Sequence, residues 1–463
     1  MKIYSAPEMK LMLDYGDMGM SEAFLKGNEA LALKALKDME SLEAGAIANP
    51  SENRMVGHYW LRAPQFAPSQ EIRREIEACT ASVKAFTAKV HSGEIRPKGA
   101  ERFTGAVICG IGGSSLGPEF VSGALKEPGD KMRLWFMDNT DPDGMDRIFA
   151  QVKERLGETL FIVISKSGGT IETRNCMLEA KAFCESNGAS FCERAVCVSG
   201  AGSRLHRQAE AEGWLAFFPM WDWVGGRTSL LSAVGLLPLG LQGIDTDALL
   251  RGAAECDEWS RCRDIENNPA LLMALAWLSA SGGKGGVTNV ILPYKDRLVL
   301  LPKYLQQLVM ESLGKEFDLD GKTVNQGLAV MGNKGSSDQH SYVQQLVAGP
   351  SNIFVTFVQV LKDREGASPD VGGGSTSGDY LSAFMLGTRR ALTGHGKAVM
   401  SISVPLADAQ CIGRIIALFE RSVGFYASMI NVNAYDQPAV EYGKKAADSL
   451  IALKDRLLGA LGP

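Results

Sequence analysis

The chain offers little that could hold a metal or form a disulfide framework. Its five histidines (His58, His91, His206, His340 and His395) lie far apart, and its nine cysteines include no C-x-x-C pair. Neither set has zinc-ligand spacing, so no metal is expected. An odd, dispersed set of cysteines in so long a chain reads as reduced core thiols, which predicts a cytoplasmic location. No apolar run is long enough to span a bilayer, and no basic-plus-apolar leader stands at Met1. Excess positive charge is missing too. Lys and Arg number 48 against 53 Asp and Glu, a net charge of −5, which argues against nucleic acid as an electrostatic partner. What remains is an ordinary soluble composition, 45% hydrophobic and 22% charged, over 463 residues. That length suits about three average domains, or two large ones with extensions.

The most informative stretch is 161–173, Phe-Ile-Val-Ile-Ser-Lys-Ser-Gly-Gly-Thr-Ile-Glu-Thr. Its apolar start predicts a short buried strand. A polar, glycine-containing loop with Ser165, Lys166, Ser167 and Thr170 follows, and then a helix. Unpaired N–H groups at a helix start favour an anion, and three hydroxyls with a lysine add donors. The loop therefore reads as a phosphate cradle.

In chain order, residues 1–100 are charged and periodic at 22–46 and 70–90, which predicts a helical extension without a chemical loop. From 103 onward strands alternate with helices. Strands are expected at 107–109, 134–137, 161–164 and 195–199, and again at 287–292, 353–358 and 398–404. This pattern predicts an α/β fold of two tandem units with mainly parallel sheets covered on both faces. The expected units are 101–245 and 246–430, with a C-terminal helical segment over 431–463 that starts near Asp436 and Pro438. Residues 362–378 read as a long surface loop.

Several residues could do chemistry, each with a plainer alternative. The loop 110–118, Gly-Ile-Gly-Gly-Ser-Ser-Leu-Gly-Pro, follows a strand as a dinucleotide loop would, but Ser115 occupies the third glycine position. Glu311 stands at the border of an apolar face on the predicted helix 301–314, one turn beyond Gln307. Desolvation there would suit a general base, although a solvated glutamate is the plainer reading of this helix alone. His340 follows Ser336-Ser337-Asp338, which resembles a helix cap. A ring in a helix's first turn would be kept neutral and able to exchange protons, although a surface histidine has the same signature. Arg227 follows two glycines and could stabilise an oxyanion or form a salt bridge. Lys444, two turns into the last helix, carries little weight alone.

Together these segments are far more specific. With Val-Gly-Gly-Arg-Thr-Ser, Gln-Gln-Leu-Val-Met-Glu-Ser-Leu-Gly-Lys, Ser-Ser-Asp-Gln-His-Ser and Tyr-Asp-Gln-Pro-Ala-Val-Glu-Tyr-Gly-Lys, the two glycine loops make a set that resembles the glucose-6-phosphate isomerase family, in that family's order, from about 100 to 445. The resemblance implies two αβα-sandwich sugar-isomerase domains and the interconversion of glucose 6-phosphate and fructose 6-phosphate without a cofactor. It assigns Glu311 as the base between C1 and C2, His340 and Lys444 to ring opening, and Arg227 to the enediolate. It places Ser165, Lys166, Ser167 and Thr170 on the phosphate, and Gly113, Ser114, Gln307 and Gln437 on sugar or phosphate. It also implies a homodimer in which His340 reaches the neighbouring subunit's site. Thr228 and Ala439 depart from the family pattern, which suggests a divergent bacterial-type branch and leaves the pocket's shape open. Acceptance of mannose 6-phosphate, a non-catalytic sugar-phosphate-binding module and a nucleotide-dependent oxidoreductase remain alternatives at this point.

Overall fold

The computed structural model describes residues 2–461; at 441, 444, 445, 448, 455 and 458–461 it describes the backbone alone. Two sheets organise the chain. The first has five strands in the spatial order Arg133–Met137, Gly105–Cys109, Thr159–Ser165, Ala195–Gly200, Ala216–Met220, all parallel. Every residue of Gly105–Cys109 and Thr159–Ser165 is buried, as a parallel sheet covered on both faces requires. Side chains alternate between the faces. Val107, Cys109, Phe161 and Val163 pack with helices Pro142–Val152 and Ile171–Ser186. Ile108, Ile162 and Ile164 pack with helices Gln70–Ser92 and Ala233–Gln242.

The strand order reverses between Gly105–Cys109 and Thr159–Ser165. A crevice opens at the carboxyl ends of two strands that diverge in this way, and ligands of open α/β sheets bind there. The two glycine loops leave from these two strands.

The second sheet runs Ile3–Ser5, Met12–Asp17, Ala398–Val404, Ile353–Val360, Thr288–Pro293, Ala329–Gly332. Its last four strands are parallel; the first two join as an antiparallel hairpin. The first hundred residues are thus not helical throughout. The helices expected there occur at Glu22–Glu43 and Gln70–Ser92, but a hairpin precedes them. Met12–Asp17 is only six residues long with Gly16 inside, too short for its alternation to stand out. The strand Ala216–Met220, interrupted by Pro219 on the sheet's edge, was likewise not evident.

Helix Ala409–Met429 is buried along nearly its whole length against Thr246–Ser260 and Pro269–Ser281. The first contact depends on glycine: a Cβ at Gly252 would stand 1.8 Å from the Gln410 carbonyl oxygen, and one at Gly413 would stand 2.1 Å from that of Leu249. A buried ionic cluster ties the N-terminal segment to these helices. Arg62 donates to both Asp257 oxygens at 2.8 and 2.7 Å, and Arg421 reaches Asp257 at 2.8 Å and Glu43 at 2.6 Å. Burial alone would raise the Asp257 carboxyl, but Arg421 and Arg62 hold it well below the usual range. The nine cysteines are free thiols, seven of them buried. Among the described residues no helix is long and apolar enough to cross a membrane.

Candidate active site

The loop after Gly105–Cys109 makes a short turn, Gly112–Ser114. Gly112 has φ +59°, and a Cβ there would lie 3.0 Å from the Gln307 amide nitrogen. At Gly113 a Cβ would lie 1.9 Å from the Gly226 carbonyl oxygen. A dinucleotide loop uses such a glycine to admit a pyrophosphate. Here the space is filled by the chain leading into Arg227, which removes the structural basis for the nucleotide reading.

The second loop folds on its own hydroxyls. Ser165 Oγ donates to Thr170 Oγ1 at 3.3 Å, and the Gly169 N–H donates to Ser167 Oγ at 3.1 Å. Helix Ile171–Ser186 follows, and Thr170 gives its first turn no side-chain cap. The first N–H groups therefore face the loop without a capping oxygen. Lys166 is engaged with main chain, donating to the carbonyls of Asp222 at 3.0 Å and Val224 at 2.9 Å. Burial, and then Arg54, push its ammonium down.

Arg227, 4% exposed, sits in the turn Gly226–Thr228. Its Nε donates to Ser312 Oγ at 2.8 Å, and its Nη2 donates to the carbonyls of Ala434 and Asp436, both at 2.8 Å. Nη1 donates to Gln437 Oε1 at 2.9 Å and stands 3.2 Å from Glu311 Oε2. Burial pulls the guanidinium down, and Glu311 counters it. The salt bridge, one of the two alternatives in the sequence, is present.

The helix carrying Glu311 is not α-helical throughout. Leu301–Leu305 is α-helical and Gln306–Glu311 is a π-helix. The apolar face (Leu301, Tyr304, Leu305, Leu308, Val309, Leu313) is buried as expected. The wider turn, a feature frequent at functional sites, lets Gln307 reach the Gly112 loop while Glu311 reaches Arg227.

A cavity of about 320 Å³ joins the hydroxyl loop to the Arg227 turn; Glu311, Gln307, Gly113 and Ser114 are not among the residues that line it. Lys166, Ser167 and Thr170 form one wall, and Arg227, Thr228 and Gln437 form another. A third wall was not foreseen: Asn49, Glu52 and Arg54 come from the N-terminal segment, in which no chemical loop was expected. A Glu-x-Arg pair in a polar turn was the available signal, and nothing local distinguishes it from a solvated turn. Gly113 and Ser114 adjoin the Gly226–Thr228 turn behind the second wall.

His340 departs from expectation. It ends a 3₁₀ turn, Ser337–His340, and is exposed; Ser336 supplies no side-chain cap, and helix Val343–Ala348 begins only later. Asp338, the expected cap, is buried and accepts the Tyr342 hydroxyl instead. The helix-dipole argument for a neutral ring therefore does not apply. No hydrogen bond or ion pair among the described residues joins His340 to Glu311 or Arg227. Lys444 lies in helix Val440–Leu461, and its side chain is outside the described residues. No group of three or more His, Cys, Asp or Glu among the described residues could hold a metal ion.

Fold and cleft define a two-sheet α/β protein in which a hydroxyl-rich loop and Arg227 line one cavity and Arg227 pairs with Glu311. The sequence model of the phosphoglucose isomerase family matches residues 17–372. A glucose-6-phosphate isomerase of Geobacter sp. (strain M21) is 55% identical over 459 residues, 99% of this chain and 87% of that one. One from Geotalea daltonii is 56% identical over 455 residues, 98% and 86% of the two chains. The crystal structure of a glucose-6-phosphate isomerase from Chlamydia trachomatis superposes with TM-score 0.88 at 24% identity, over 100% of this chain and 93% of that one. The chain belongs to the phosphoglucose isomerase family.

Proposed function

We propose that this protein interconverts glucose 6-phosphate and fructose 6-phosphate, a step of glycolysis and gluconeogenesis, through a cis-enediol(ate). The observation that carries the reading is the Glu311–Arg227 pair, 3.2 Å apart, with Arg227 in the wall of the cavity that the hydroxyl loop also lines. Moving a proton between C2 and C1 of the open sugar needs a base, and the oxygen that becomes negative needs a fixed cation. Glu311 takes the C2 proton and returns it to C1, and Arg227 faces the enediolate. Ring opening is a proton shuffle between the ring oxygen and a hydroxyl, assigned to His340 and Lys444. Ser165, Lys166, Ser167 and Thr170 anchor the 6-phosphate, while Gly113, Ser114, Gln307 and Gln437 contact sugar or phosphate. The scheme calls for no metal or redox cofactor. A coupled assay of fructose 6-phosphate formation tests it; folded protein that forms none refutes it.

The phosphate anchor has its own test. Each charge-assisted hydrogen bond lost is worth about 1.5–3 kcal/mol, so Ser167→Ala with Thr170→Val is expected to raise KM by roughly 10²-fold or more with a smaller change in kcat. An unchanged KM would make the loop structural and place the anchor elsewhere.

The reading includes a cytoplasmic homodimer in which His340 serves the neighbouring subunit's site. The exposure of His340 supports this assignment. Mixing Glu311→Gln with His340→Ala protein gives a sharp expectation. Half of randomly formed dimers are mixed, and each mixed dimer carries one complete site, so activity recovers towards about a quarter. If each histidine serves its own chain, both sites of the mixed dimer stay defective and nothing recovers.

A further inference from the structure

A second buried cation stands beside the carboxylate–guanidinium pair. Lys315 is 8% exposed. Its Nζ donates to the Glu311 carbonyl at 2.9 Å and to the Asp436 carbonyl at 2.7 Å, and stands 3.2 Å from Asp436 Oδ1. Chain geometry explains the need. Residues 306–313 are helical, and a further α-turn would satisfy the Glu311 carbonyl with the N–H of residue 315. The chain leaves the helix at Gly314 and enters strand Lys315–Phe317, so that N–H is directed elsewhere. The side-chain ammonium of the same residue meets the carbonyl in its place, at the negative end of the helix.

The partner on the other side matters equally. The Asp436 carbonyl accepts from Lys315 at 2.7 Å and from Arg227 at 2.8 Å. Two cations from separate elements thus converge on one oxygen of the segment that also presents Gln437 to Arg227. Asp436 is fixed from a third side, where Ser51 donates to its Oδ2 at 2.7 Å.

We propose that Lys315 is a positioning residue for the isomerisation: it clamps the π-helical segment bearing Glu311 to the 434–437 segment, and so sets the Glu311–Arg227 distance on which proton transfer depends. The proposal rests on the isomerase reading above. Carbonyl and carboxylate of Glu311 belong to one residue, so a freed carbonyl displaces the base, and an error of about 1 Å in such a site costs up to 10²-fold in rate. The charged groups around Lys315 are Arg227, Asp436 and Glu311, with Tyr435 near Arg227. Burial and Arg227 push the Lys315 ammonium down, and Asp436 and Glu311 counter them.

The test uses Lys315→Met, which removes charge and donors, and Lys315→Gln, which removes charge but keeps an amide donor. Forward kcat, KM and binding of 6-phosphogluconate, a sugar-acid phosphate that cannot isomerise, are measured for each. In the methionine variant kcat is expected to fall roughly 10- to 100-fold, with KM and 6-phosphogluconate affinity within a few-fold of the unaltered protein. The glutamine variant falls less. An unchanged kcat in the methionine variant overturns the proposal. So does parallel loss of kcat and 6-phosphogluconate binding, or loss of folded protein in both variants, since each assigns Lys315 a purely structural part. Failure of the isomerase reading itself looks different: the unaltered protein then forms no fructose 6-phosphate.

Discussion

Glu311→Gln is expected to lower kcat by about 10²–10⁴-fold, the usual contribution of a positioned general base. Glutamine nearly matches glutamate in shape, and its amide oxygen can still accept from Arg227 Nη1, which now stands 3.2 Å from the carboxylate. It cannot take a proton from carbon. The anion loop lies on a separate element, so 6-phosphogluconate should bind the variant nearly as well as the unaltered protein. Calorimetric titration alongside the coupled assay separates the two effects. Loss of both together would mean that the substitution disturbed the cleft, while retained turnover would assign the base wrongly.

Arg227→Met is expected to lose roughly 10²–10³-fold in kcat, the range for removing one preorganised donor from a developing oxyanion. Stability should suffer as well. The guanidinium fills five polar contacts: Ser312 Oγ, Gln437 Oε1, the carbonyls of Ala434 and Asp436, and the Glu311 carboxylate. Removing it leaves the buried Ala434 carbonyl without its guanidinium partner, at about 1–3 kcal/mol before relaxation or water entry, while the Asp436 carbonyl keeps Lys315. Lysine is no substitute, because an ammonium cannot span acceptors set at the guanidinium's fork. Thermal unfolding monitored beside kcat distinguishes the effects. At a temperature where the variant is fully folded the loss in kcat should persist, and recovery there would confine Arg227 to a structural part.

Much of this site was legible in the chain, for physical reasons that differ by residue. Strands such as 161–164 and 195–199 are buried on both faces, so they appear as unbroken apolar runs followed by turn residues. Glycine loops at their carboxyl ends mark where a parallel sheet accepts ligands. Glu311 at the edge of an apolar face was visible because the face itself is periodic. Other features depend on contacts that no local pattern encodes. The hairpin Ile3–Ser5 with Met12–Asp17 is defined by its pairing with Ala398–Val404, nearly 400 positions away. Arg54 enters the cleft only because the N-terminal segment crosses to the first sheet. The π-helical turn has no sequence signature. His340 was misplaced on a helix because Ser336-Ser337-Asp338 has the composition of a cap, whereas the Tyr342 hydroxyl takes Asp338. Lys315 closes a motif that was recognised as a string, yet its part becomes apparent only where the helix stops and leaves the Glu311 carbonyl to its ammonium.

The most direct measurement follows deuterium placed on C2 of glucose 6-phosphate, using the unaltered protein and Glu311→Gln in parallel. Proton transfer by a carboxylate predicts that the unaltered protein removes the label from C2, delivering it to C1 of fructose 6-phosphate or to water. The variant is expected to do so at least about a hundredfold more slowly. Label that stays on C2 with folded unaltered protein, or leaves it at an undiminished rate in the variant, would contradict the account.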